Sequence, residues 1–231
     1  MLLNRINLRS LLRLTNGRLM KGLLLGGALV LVTGCSQNSS LGVVGKSLEL
    51  AFVGHPDAEF DRQYVESIPY DSLILKIGMG PKSLVVHSKT ENGNKHWVAA
   101  DYTLYVTREG RVVKTGNLPI NRVGFHSLML DPIKAIERGA PWDYEYAYEV
   151  DIQPGNYIAT PVKSRFYYLG EEDITILDEV ITTKKYKEVF ESEKLYWQGE
   201  NFFWFDGQNR LRQTLQFVDP TTPEILTQVT R

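Results

Sequence analysis

Cysteine is nearly absent: the chain has 231 residues and a single cysteine, Cys35. One thiol excludes any disulfide within the chain, so packing has to supply the stability. Histidine is scarce as well. His55, His87, His96 and His126 are the only four, and none lies two or four positions from another. That spacing gives no zinc-type pair. No Gly-x-Ser-x-Gly and no phosphate-binding loop occurs. No cofactor is therefore expected. Acidic residues are missing altogether from Met1–Leu48, and the apolar run Leu23–Val32 is only ten residues long, two of them Gly. At about 1.5 Å of helix rise per residue, such a run covers about half of a hydrocarbon core of about 30 Å, too little for a stable transmembrane anchor.

What is present around that run is a secretory signal. Arg5, Arg9, Arg13, Arg18 and Lys21 precede it, and Val32-Thr33-Gly34-Cys35-Ser36 follows it. Met20-Lys21 would itself make a compact signal start. The exit resembles the bacterial lipobox, in which small residues precede an obligatory Cys. The resemblance implies residues 1–34 as a lipoprotein signal peptide, cleavage after Gly34, and acyl chains (palmitate among them) on Cys35. Several chains, at about 0.8 kcal/mol per buried methylene, anchor durably where one does not. Ser36, where an Asp would favour inner-membrane retention in the usual sorting rule, implies the outer membrane, facing the periplasm. If Cys35 is lipidated, a thiol nucleophile is excluded too.

Cleavage would leave Cys35–Arg231 with 21 Lys and Arg against 27 Asp and Glu, a net charge of −6. An excess of negative charge argues against nucleic acid as a partner. Residues 35–46, small and polar, read as a flexible tether, and 47–231 as one β-rich domain. Ser47–Phe52 and Phe60–Ser67 suit an amphipathic helix or short strands equally.

From Leu73 the pattern turns to β. Leu73–Ile77 and Ser83–Ser88 are separated by Gly78-Met79-Gly80-Pro81. Asn92-Gly93 tolerates the positive φ angles of a tight hairpin. Trp97–Thr107 alternates as one strand, Arg108-Glu109-Gly110 turns the chain into Arg111–Thr115, and Pro154-Gly155-Asn156 makes a further turn. In Trp142–Asp151, Tyr144, Tyr146, Tyr148 and Val150 alternate with acids and Ala147. Tyr157–Leu169, Ile174–Lys184 and Lys185–Ser192 read as extended. Asn201–Phe205 and Arg210–Val218 flank the turn Asp206-Gly207-Gln208-Asn209. The one clear helix is Asp131–Arg138, capped by Asp131, with Pro132 at its first position and Gly139 at its end. Short strands at regular spacing with one helix near the middle predict a mainly all-β, antiparallel fold.

Several segments occur together in one order: Trp97-x3-Asp101, Gly110-Arg111-Val112-Val113-Lys114-Thr115-Gly116-x-Leu118, Asp151-x2-Pro154-Gly155, Asn201-x2-Trp204-x-Asp206 and Gln216-x3-Pro220. In that order they resemble the YjbF/GfcB lipoproteins of exopolysaccharide and group 4 capsule operons. Asn117 between Gly116 and Leu118, and Phe203 and Phe205 beside Trp204, depart from the pattern. The resemblance implies a meandering antiparallel sheet curved as a half-barrel. It also implies an accessory role in exopolysaccharide or capsule production or export, beside an outer-membrane β-barrel and other export factors. It supplies a process and no reaction.

Two surfaces are candidates for binding. Trp197, Phe202 and Trp204 suit a sugar-stacking groove or a β-sheet core. Both faces of Asn201–Phe205 are apolar, so the strand is either buried on both sides or offers one face to a protein partner such as an outer-membrane β-barrel component. Arg111 and Arg165 are suited to bidentate contacts with acidic sugars, and equally to scattered surface positions. The acids Asp143, Glu145, Glu149 and Asp151 alternate with tyrosines, as a solvated face opposite a buried stripe does. No catalytic residue is expected; a polysaccharide hydrolase or lyase, which needs two carboxylates facing across a cleft at about 5–9 Å, is the alternative.

Overall fold

In the computed structural model, residues 60–139 and 145–231 are described, and they fall within one compact unit, Gly54–Arg231. The expected signal (1–34), Cys35, the tether (35–46), and Asp143 and Tyr144 lie outside the described residues.

Turn chemistry builds the first sheet segment. Asn92 and Gly93 both have positive φ, as do Glu109 and Gly110. Paired positive φ values match the twist of antiparallel strands, so each pair makes a two-residue hairpin. They join β2 (Ser83–Glu91) to β3 (Asn94–Val98), and β4 (Leu104–Arg108) to β5 (Arg111–Gly116). Trp97–Thr107 is therefore not one strand. It breaks after Val98, and Tyr102, with φ of 64°, is an exposed turn residue. Alternation alone does not reveal a turn when the turn residues happen to keep the period.

The remaining strands are β1 (Ser72–Ile77), β6 (Asn121–His126), β7 (Glu145–Gln153), β8 (Tyr157–Ile176), β9 (Glu179–Ser192), β10 (Trp197–Asp206), β11 (Leu211–Gln216) and β12 (Ile225–Val229). Among the described residues the α-helices are α1 (Arg62–Ser67) and α2 (Pro132–Glu137), each with an Asp side chain accepting from a first-turn N–H: Asp61 from Tyr64 and Asp131 from Ile133. The expected helix cap at Asp131 is thus present.

All twelve strands form one antiparallel sheet, in the order β5-β4-β3-β2-β1-β12-β11-β10-β9-β8-β7-β6. The two ends of the sheet, β5 and β6, are consecutive in sequence and lie side by side, so the meander curls into a nearly closed barrel. The expected curved all-β sheet is present, curled further than a half-barrel. Among the described residues no ladder pairing bridges the last seam; side chains do. Thr115 Oγ1 accepts from the Arg122 N–H at 3.0 Å, and the Arg122 guanidinium donates to the carbonyls of Val112 at 2.8 Å and Val218 at 2.9 Å.

Inward residues fill the barrel. Leu73, Leu75, Val85, Trp97, Tyr105, Val112, Val218 and Ile225 pack in one cluster, and Phe166, Tyr186, Phe203 and Phe205 meet Ile133 and Ile136 of α2 in another. Arg111 is only 1% exposed and sits among them, which corrects its reading as a surface cation. Its guanidinium carbon lies 5.3–5.9 Å from the rings of Phe125, Tyr146, Tyr148, Phe166 and Phe203. It donates to both carboxylate oxygens of Asp131 and, at 2.9 Å, to Glu188. Burial works against its charge, but the Asp131 and Glu188 carboxylates outweigh burial and hold the proton on.

β8 and β9 are longer than the expected segments: their turn falls at Leu177-Asp178, with no break near residue 170 or 184. A register shift between Tyr168 and Gly170, where Gly170 has φ of 110°, bends the pair. The hairpin tip then lies over the outer face of β10–β12. Ile174, Ile176 and Trp204 form a small core there, and Gln228 Nε2 donates to the Thr175 carbonyl at 3.3 Å. Arg62 of α1 holds the tip from outside through Asp178 and Glu179.

Candidate functional site

A groove of about 880 Å³ lies on the outer face of β7–β10. Alternation positions its side chains. On β7, β8, β9 and β10 the inward residues Tyr146, Ser164, Phe190 and Trp197 are buried, which turns Glu145, Ala147, Lys163, Arg165, Val189, Glu191, Gln198 and Glu200 outward. Register then sets neighbours: Glu145 lies opposite Arg165, Lys163 opposite Glu191, and Tyr167 opposite Lys187. Lys187 Nζ donates to Glu200 at 2.9 Å and lies 6.0 Å from the Tyr167 ring centre. Met129 contributes from the loop before α2. Gly199 keeps the floor thin: a Cβ there would stand 2.7 Å from the Phe190 ring.

The five candidate binding residues do not converge. Arg111 and Trp197 point inward; the Trp197 ring packs on Phe190 with centroids 4.6 Å apart. Phe202 and Trp204 point outward, but Trp204 is only 6% exposed beneath the β8–β9 tip. Its indole N–H donates to Glu172 at 3.2 Å, and Lys185 Nζ lies 5.1 Å from both the Phe202 and Trp204 ring centres. The hydrogen bonds from Lys185 and Trp204 hold the Glu172 carboxyl below its ordinary range. The Asn201–Phe205 strand is thus buried on both sides, the first of its two expected readings. Arg165 alone lies in the groove. Sequence reasoning missed Tyr167, Val189 and Gln198, because only the pairing of distant strands makes them neighbours.

Among the described residues, no group of three or more His, Cys, Asp or Glu is arranged to hold a metal ion, and no helix is long and apolar enough to cross a membrane. The interior carboxylates Asp131 and Glu188 are engaged by Arg111.

The family model described as "Group 4 capsule polysaccharide lipoprotein gfcB, YjbF" matches residues 45–229. The chain belongs to the YjbF family. It is 25% identical to the uncharacterized lipoprotein YjbF of Escherichia coli (strain K12) over 192 residues, 82% of this chain and 87% of that protein. It is also 25% identical to the uncharacterized lipoprotein GfcB of the same strain over 205 residues, covering 86% of this chain and 92% of that one. Among solved structures, the lipoprotein YmcC from Escherichia coli (K12) superposes with a TM-score of 0.67 at 21% identity, covering 85% of this chain and 98% of its own. That likeness extends to the fold alone. The expected family is therefore the right one, and the protein is a member of a capsule-associated lipoprotein family.

Proposed function

We propose that this protein is a non-enzymatic, lipid-anchored accessory of exopolysaccharide or capsule production or export. It is held by acylated Cys35 at the periplasmic face of the outer membrane, where it acts by binding polymer or by docking to an export protein such as an outer-membrane β-barrel. The observation that carries this reading is the family match over residues 45–229, downstream of a lipobox at Val32–Ser36. The packed interior adds support. With Arg111, Glu188 and five aromatic rings filling the barrel, ligands are left with the outer face.

Burial of Trp204 and Phe203 removes the strand face on which protein docking was expected, so the groove on β7–β10 becomes the leading contact surface. A hydrolase or lyase draws on one specific feature, Glu191 and Glu200 in the same groove on adjacent strands. On paired strands a diagonal offset separates positions by about 7–8 Å. Glu200, however, is already engaged by Lys187 at 2.9 Å.

The experiment has two arms. Removing the gene should lower cell-surface polymer while leaving it in the periplasm; unchanged surface polymer would sink the export role. Purified full-length protein incubated with polymer from the producing cells should leave chain length unaltered. Shortened chains would turn the reading to an enzyme.

A further inference from the structure

The groove's charges cancel, and that fixes the kind of polymer it suits. On the groove lining Glu145 lies opposite Arg165 and Glu191 opposite Lys163, and the third acid, Glu200, is ion-paired at 2.9 Å with Lys187, which stands outside the lining, so each acid has a cation beside it. Interleaving removes the net field that would gather a polyanion, yet keeps a dense set of donors and acceptors. Between these pairs lie apolar surfaces: the Tyr167 ring, 40% exposed, with Val189, 39% exposed. A ligand for such a surface must offer both C–H faces and hydroxyls, with no net charge of its own. That is the chemistry of an uncharged glycan.

We infer that the outer groove of β7–β10 binds an uncharged stretch of polysaccharide, with the Tyr167 ring as its stacking platform and Gln198 as a hydrogen-bonding partner for its hydroxyls. The inference rests on the accessory role proposed above and names the ligand class and the site.

Other occupants fit less well. A peptide adding as a strand needs an unpaired sheet edge. β10 at Gln198–Glu200 and β8 at Tyr167 are laddered to β9 alone, but the outward side chains that line the groove stand on the sheet face, which strand addition at an edge leaves unused. Nucleic acid needs a positive track to meet its phosphates, and this groove has none in net charge. The groove's volume of about 880 Å³ lies within the range of about 300–1,000 Å³ usual for small-molecule and cofactor sites, enough for a few sugar rings.

The test uses full-length lipoprotein in detergent and exopolysaccharide purified from the producing cells, separated by anion exchange into uncharged and acidic fractions. Affinity electrophoresis should show retardation by the uncharged fraction, and raising the salt should leave the affinity unchanged because the contacts carry no net charge. Tyr167→Ala should weaken binding about five- to tenfold, the scale of one aromatic contact. Gln198→Ala, also at an exposed position, should weaken it in the same direction, so a fold defect in one variant does not decide the outcome. Retardation by the acidic fraction alone, no retardation by either fraction, or equal affinity in both folded variants would overturn the site. If the gene is required for export but Tyr167→Ala cells export normally and the variant binds polymer like wild type, the groove assignment fails while the accessory role stands. If removing the gene leaves export unchanged, the role fails whatever the groove binds.

Discussion

Arg111 on β5 and Glu188 on β9 meet at 2.9 Å inside the barrel, from strands far apart in the sheet order. Glu188 is fully buried and also accepts from Asn201 Nδ2 at 2.8 Å, while Asn201 Oδ1 accepts from the Phe217 N–H. Asp131 joins Arg111 to the start of α2. One guanidinium therefore ties an edge strand, the opposite wall and a helix cap together.

Removing that guanidinium strands two carboxylates. Breaking a buried pair by deleting one partner costs about 3–5 kcal/mol. Arg111→Ala should therefore lower unfolding stability by about that amount in urea titration. Adding Glu188→Ala should recover part of the loss, because the second change removes an uncompensated charge. A double variant destabilised by the full sum of the single changes would refute the coupling.

Alkaline pH should unfold the protein through its tyrosines. Burial raises Tyr146 to about 12, and raises Tyr105 and Tyr148 as well. An unfolded tyrosine titrates near 10. Between those values the unfolded chain has released protons that the folded chain still holds, so stability is present below about pH 10 and falls as pH rises above it. Arg122 acts the other way, since burial lowers it to about 10, and the unfolded form then binds the extra proton. Burial raises Tyr186 too, and four tyrosines against one arginine leave a net loss. Tyrosinate absorbance and circular dichroism, followed together, should change in one transition above pH 10. Full tyrosine ionisation with an intact β spectrum would contradict this.

Much of this fold was legible locally, because turns and caps are short-range. Asn92-Gly93, Glu109-Gly110 and the Asp131–Pro132 cap were all readable from the sequence, as was the tyrosine stripe of β7. Closure of the barrel was not, since it depends on β1 pairing with β12, whose partners Leu73 and Val229 lie at opposite ends of the domain. Arg111 was misplaced for a related reason: an arginine in an alternating strand reads as exposed until its two carboxylate partners, from distant segments, are known. The family motifs hold structural residues more than contact residues. Asn201 and Gln216 bond to backbone groups of Phe217, Val112 and Gly110, and Trp204 lies in a core. The groove residues fall outside those motifs.

Gly199 supports the groove from beneath. A Cβ at this position would stand 2.7 Å from Phe190, whose ring is packed against Trp197 with centroids 4.6 Å apart, so the ring or the strand has to shift to admit it. Overpacking of this kind costs about 1–3 kcal/mol. Gly199→Val should lower the urea midpoint accordingly, and Phe190→Leu in the same chain should restore some of it. A Gly199→Val variant as stable as wild type would show that the strand can shift.

Trp204→Ala should destabilise by about 3–5 kcal/mol, the usual range for a buried Trp cut to Ala. Trp204→Phe should cost less, keeping ring contacts with Ile174 and Ile176 while Lys185 still partners Glu172. Limited proteolysis reads the same site differently. Without the indole, the β8–β9 tip loses its packing on β10, and cleavage near Leu177-Asp178 should accelerate. Unchanged proteolysis at that turn would refute the role of Trp204 in holding it.

Anchoring gives the last prediction. Cys35 follows a ten-residue apolar run and an acid-free, basic N-terminal stretch, and it is the chain's only thiol. Lipidation at Cys35 would precede cleavage after Gly34, so a chain without the thiol should keep residues 1–34. In cells fed labelled palmitate, wild type should carry label and migrate as the shorter form. Cys35→Ala should carry no label, and should run longer or leave the membrane fraction. Equal labelling of the two proteins would remove the anchor, and with it the membrane setting of the proposed role.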